Sequence, residues 1–123
     1  MEINEITQKI IGCAIEVHKN LGPGLLESAY KECLAFDLTK AGLSIKRQQP
    51  VPVVYRDIKL DCGYRIDILV EKCVVIELKV VDEFNPVHQA QILTYMKFSD
   101  MKVGLLINFN VTVLKNGIRR FVL

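Results

Sequence analysis

With 123 residues, half of them hydrophobic, the chain suits one compact domain spanning 1–123 and leaves no room for a second. Its formal net charge is only +2, so any nucleic-acid role needs a local basic patch drawn from Arg65, Lys79, Lys97, Lys102, Arg119 and Arg120. No apolar run approaches the ~20 residues that span a bilayer, and the four cysteines (Cys13, Cys33, Cys62, Cys73) show neither C-x-x-C nor metal-ligand spacing.

The N-terminus is charged and helix-periodic, unlike a signal peptide. With free cysteines bordering apolar stretches, it points to a soluble protein of a reducing cytoplasm. Ile3, Ile6, Ile10, Ala14, Val17 and Leu21 recur at steps of three and four, one stripe of an amphipathic helix over 3–21. Gly22 suits the position after the helix end, and Pro23 cannot continue it. A second helix is expected from about Leu25 to Lys40, closed by Gly42. Glu27 lies in its first turn. An acid there is favoured by the helix dipole by up to ~1 kcal/mol; it would also deliver a carboxylate to a metal, with Tyr30 one turn along the same face.

The chain then turns β-rich. Pro50 and Pro52 confine 44–55 to an edge strand or irregular lead-in, and Arg56-Asp57 reads as a turn into a strand from Ile58 towards Val70, bent near Gly63. Alternation puts Tyr64, Ile66, Ile68 and Val70 on one side and Arg65, Asp67 and Leu69 on the other. In 74–80, Val75, Glu77 and Lys79 share the face opposite Val74, Ile76, Leu78 and Val80. A three-residue loop, Glu71-Lys72-Cys73, pairs Val70 with Val74, Ile68 with Ile76 and Ile66 with Leu78. Asp67 then lies opposite Glu77, and Arg65 opposite Lys79. A two-residue loop would bury half the polar set, and burial specifies register strongly.

Asn85-Pro86 starts a third helix, with asparagine as N-cap and proline at the first position. It runs to about Phe98. His88, Gln91 and Tyr95 share one stripe, either a solvent face or a contact for substrate phosphate or bases, with Val87, Leu93 and Met96 left for the core. Met101 to Asn108 is a short apolar strand covered on both faces. Val111–Leu114 and Ile118–Leu123 flank Lys115-Asn116-Gly117, a hairpin signal. The order is α, α, β, β, β, α, β, then a closing hairpin: a mixed sheet flanked by helices.

Asp67, Glu77 and Lys79 carry the chemistry. Directly opposed carboxylates repel by up to ~1 kcal/mol on an exposed sheet, and a bound cation reverses that sign. Two carboxylates and an ammonium on one spot are suited to a hard divalent cation beside a phosphate; the plain alternative is a solvated strand face. No zinc ligand set, glycine-rich phosphate loop, nucleophile elbow or dinucleotide fingerprint is present.

Asp67 followed by Glu77-Leu78-Lys79, between helices bearing Glu27 and Gln91, resembles the PD-(D/E)XK nuclease superfamily. More narrowly, Gly24-x-x-Glu27-x-x-Tyr30, the His88-x-x-Gln91-x-x-x-Tyr95 stripe and Leu105-Leu106-Ile107-Asn108-Phe109 resemble its small proteins named for a G-x-x-E-x-x-Y signature. Ile66 stands where the superfamily's name has proline. The resemblance implies an α/β fold (an α+β mixed sheet): a restriction-endonuclease-like αβββαβ core with an extra N-terminal helix and a C-terminal β-hairpin. It implies a nuclease that hydrolyses DNA phosphodiesters with Mg²⁺, or Mn²⁺ in its place. Asp67, Glu77 and the Leu78 carbonyl would hold the metal. Lys79, Glu27 and Gln91 would serve catalysis, while Tyr30, His88, Tyr95 and Arg65 would contact substrate. Cutting both strands of a duplex would need two sites, hence a symmetric homodimer. The rival reading is an inactive nuclease-fold module that binds nucleic acid or a protein. A glycosidase ranks far behind, since no tryptophan offers a sugar-stacking surface and Lys79 would be idle.

Overall fold

The apolar stripe at the N-terminus becomes α1 (Ile3–Leu21), which ends where Gly22, at φ 67°, donates its N–H to the His18 carbonyl. After the Gly-Pro-Gly turn comes α2 (Glu27–Lys40). A computed structural model, describing residues 1–123, continues with β1 (Ile45–Pro50), β2 (Val53–Tyr55), β3 (Ile58–Leu60), β4 (Arg65–Val70) and β5 (Val74–Lys79). Then follow α3 (Pro86–Phe98), β6 (Val103–Asn108), a 3-10 turn (Leu114–Gly117) and β7 (Ile118–Val122).

Five strands form one sheet in the order β1-β4-β5-β6-β7, and only β5 and β6 run parallel. A parallel pair needs a crossover, and α3 supplies it. The expected αβββαβ core is therefore present as α2, β1, β4, β5, α3 and β6. One face of the sheet packs Ile68, Val70, Ile76, Leu78, Leu105 and Ile107 against α1 and α2. On the other, Leu69, Val75 and Leu106 meet Ile92, Tyr95 and Met96 of α3. Gly104 lets α3 approach: a Cβ there would lie 2.6 Å from Met96 Sδ.

Away from the β4–β5 pair, four sequence expectations differ from the structure. The strand expected from Ile58 to Val70 breaks at Gly63 (φ 83°), and 53–60 folds as its own β2–β3 hairpin. No strand forms over Val111–Leu114. β7 pairs with β6 instead, and Gly117 is required by close packing: a Cβ there would meet the Asn108 carbonyl at 2.3 Å. Val87 is 72% exposed, because Ile92, Tyr95 and Met96 form the inward stripe of α3. All four cysteines are free as expected, but Cys62 is exposed. No helix is long and apolar enough to cross a membrane.

Candidate active site

The β4–β5 connection is the three-residue loop, with Glu71 and Lys72 at positive φ and the Cys73 N–H donating to the Val70 carbonyl. Pairing begins in the expected register, Val70 with Val74, Leu69 with Val75 and Ile68 with Ile76, and stops there. Beyond that point the strands part and side chains replace the ladder. The Asp67 N–H donates to Glu77 Oε1, and the Leu78 N–H donates to Asp67 Oδ2, each at 2.9 Å. Asp67 and Glu77 thus meet, wedged in a split between strands instead of standing side by side on a pleat. Ile66 leaves its expected face too and packs with Val51, Leu69 and α3. Arg65 does not reach Lys79. It pairs with Pro50 across β1 and its guanidinium binds Asp61 and the Tyr64 carbonyl.

The wedge takes both carboxylates nearly out of water: Asp67 is 8% exposed and Glu77 4%. Burial, and then the Asp67 charge, push Glu77 up to about 8. An electrostatic cost of that kind is what a divalent cation removes. No group of three His, Cys, Asp or Glu side chains converges to hold a metal alone. Mg²⁺ does not require one, since it keeps several waters and is commonly held by one or two carboxylates. The donor set fits such an ion.

Lys79 follows Glu77 on β5, and its Nζ lies 3.4 Å from Gln91 Oε1. Gln91 in turn donates to the Tyr95 hydroxyl at 3.2 Å. Burial, followed by the Glu77 and Asp67 charges, raises the pKa of Tyr95, which places that phenol in the field of the carboxylates. The middle of α3 is therefore tied to β5 through Lys79, Gln91 and Tyr95. Beside this chain opens a mostly apolar groove of about 380 Å³, lined by Val51, Val53, Tyr64, Val87 and Phe98 with Gln91 and Tyr95 at its edge.

Other expected contacts have different roles. Tyr30 is fully buried, stacked on Phe109 at 4.6 Å, with its hydroxyl donating to the Gly22 carbonyl and accepting from the Leu25 N–H. It holds the Gly-Pro-Gly turn from inside the core. His88 caps α3, its Nδ1 accepting from the Asn85 N–H while Asn85 accepts from the His88 N–H. Glu27 opens α2 as expected, but its carboxylate binds Lys31 Nζ at 2.9 Å, and the same ammonium lies 2.9 Å from Asp67 Oδ1. Burial disfavours charge on Lys31, yet its hydrogen bonds to Glu27 and Asp67 outweigh that and raise its pKa.

Two residues of the site escape a sequence reading. Lys31 stands four residues after Glu27, a spacing that places both on one helical stripe, though its tie to Asp67 is tertiary. Asn108, 2% exposed, accepts from the Val81 and Asn110 N–H groups and donates to the Val81 carbonyl. With the Phe109 N–H on the Lys79 carbonyl, it fastens the chain immediately after Lys79.

A family model described as the PD-(D/E)XK nuclease superfamily matches residues 4–121. No curated protein and no solved structure matches the chain.

Proposed function

Since the chain belongs to the PD-(D/E)XK nuclease superfamily, we propose that it is a single nuclease domain hydrolysing DNA phosphodiester bonds with Mg²⁺, or Mn²⁺ in its place. The observation that carries this reading is the pair of nearly buried carboxylates, Asp67 and Glu77, wedged between parted strands with Lys79 alongside. Each carboxylate raises the cost of ionising the other, a cost that a bound divalent cation offsets.

Asp67 and Glu77 would hold the metal with the Leu78 carbonyl, which shares a strand edge with the N–H that meets Asp67. When bound, the ion would polarise the phosphate and lower the pKa of the attacking water. Lys79 orients that water with its ammonium and offsets negative charge developing on phosphorus oxygens. Gln91, bonded to both Lys79 and the Tyr95 hydroxyl, restricts where the ammonium points. The apolar groove beside Gln91 would take the nucleoside next to the scissile bond. The test is cleavage of labelled DNA by wild-type protein and by Asp67→Ala and Lys79→Ala variants. Loss in both folded variants is expected, and unchanged cleavage in both rules the mechanism out.

One observation favours a second reading. Lys31 already partly neutralises the acids, so an inactive nuclease-fold module could bind nucleic acid without metal. Metal-independent DNA binding that survives Asp67→Ala, with no cleavage by wild-type protein, would support it.

A further inference from the structure

Lys31 and Glu27 are one helical turn apart on α2, so the helix itself sets them side by side. Their neighbour Tyr30 is locked against Phe109, which fixes that part of α2 relative to the end of β6. From there the Lys31 ammonium reaches across to Asp67, bridging two carboxylates at equal distances of 2.9 Å. Its side chain is mostly buried. A cation therefore already occupies the space between Glu27 and Asp67, and it is supplied by the chain.

Resting on the nuclease reading above, we propose that Lys31 is a built-in counter-ion, that the site takes one divalent cation and not two, and that Glu27 holds Lys31 instead of binding metal. The remaining donors agree. Asp67 Oδ1 faces Lys31 and Oδ2 accepts from Leu78, while Glu77 uses only Oε1, towards the Asp67 N–H. The open coordination is on Glu77, which makes no ion pair with Lys31. Charge balance points the same way. Three carboxylates (Glu27, Asp67, Glu77), two ammonium groups (Lys31, Lys79), one divalent cation and one phosphodiester come to neutrality. A second divalent cation would leave an excess of two positive charges, and it would have to sit against an ammonium beside the nearly buried Asp67. Lys31 is thus a positioning residue: it sets the number and place of the metal and need not touch substrate.

The test counts bound Mn²⁺ by electron paramagnetic resonance during titration of the purified full chain, with circular dichroism to confirm folding. Wild-type protein and Lys31→Arg are expected to bind one Mn²⁺. Lys31→Met, which frees Glu27 and Asp67, is expected to take up a second. Glu27→Gln is expected to keep one Mn²⁺ with affinity close to that of wild type, well short of the roughly 10- to 100-fold loss that follows when a group oriented on the metal is removed. Two Mn²⁺ in wild type, a single one in folded Lys31→Met, or a loss of about 10-fold in affinity in Glu27→Gln overturns the proposal and leaves a metal nuclease standing. If Lys31→Met does not fold, the wild-type count and Glu27→Gln decide. No Mn²⁺ uptake by wild type overturns both this proposal and the metal-dependent reading.

Discussion

One pair of strands contains two different solutions to the same problem. Near the loop, β4 and β5 pair Val70 with Val74, Leu69 with Val75 and Ile68 with Ile76, and those apolar side chains are covered on both faces. At the other end the ladder gives way to two carboxylate-to-backbone bonds, and buried charge replaces buried hydrocarbon. The closed half stabilises the fold. The open half keeps its backbone groups satisfied while concentrating negative charge, so it can part without unfolding the sheet. β6 makes this tolerable, because it pairs with β5 in parallel all the way from Val74 to Lys79.

The largest effect should separate the halves cleanly. Asp67→Ala and Lys79→Ala should each lower DNA cleavage by about a hundred- to a thousandfold, with melting curves that remain cooperative. Ile76→Ala, in the closed half, should do the reverse. Emptying a fully buried side chain in that core costs about 2–4 kcal/mol of stability by denaturant titration, while the fraction still folded should cleave normally. Loss of activity in folded Ile76→Ala would show that the halves are not separable.

Glu77 gives the comparison a pH signature. Its pKa rises from 4.5 to about 8 on folding, so between those values the metal-free folded state holds a proton that the unfolded chain has released. That contribution to stability is fully present below about pH 4.5 and is lost as pH rises through about 8. Metal-free wild-type protein should therefore melt lower at pH 9 than at pH 6 relative to Glu77→Gln, whose difference should be flatter. Added Mg²⁺, which takes the place of the proton, should stabilise wild type more as pH rises. A smaller effect is expected of Tyr30→Phe. Losing the hydroxyl that joins Gly22 and Leu25 should cost about 1 kcal/mol in thermal unfolding, with cleavage unchanged. The smallest belongs to Arg47→Ala: its two-pronged pair with Glu32 is exposed and screened by water, so the melting temperature should barely move.

The closed half was legible in the sequence and the open half only partly. Alternation in 64–70 and 74–80, with the three-residue loop, yields the register of Ile68, Leu69 and Val70 and brings Asp67 to Glu77. It treats the pair as a ladder to the end, so it misses the parting of the strands, the turning of Ile66 to α3 and the separation of Arg65 from Lys79. Those follow from side chains bonding backbone, which periodicity does not register. Asn85-Pro86 and Gly22 marked their helix ends correctly because caps are local. Tyr30 and Asn108 are tertiary fasteners whose partners, Phe109 and Val81, are remote in sequence. The Lys31 tie to Asp67 is missed for the same reason.

The most direct test of the central claim is titration of Mg²⁺ into wild-type and Asp67→Ala protein, following melting temperature and cleavage of labelled single- and double-stranded DNA in the same samples. Stabilisation by Mg²⁺ together with cleavage in wild type, both absent from Asp67→Ala, is the predicted result. Wild-type protein that neither gains stability from Mg²⁺ nor cuts either DNA, while still binding it, would contradict the account.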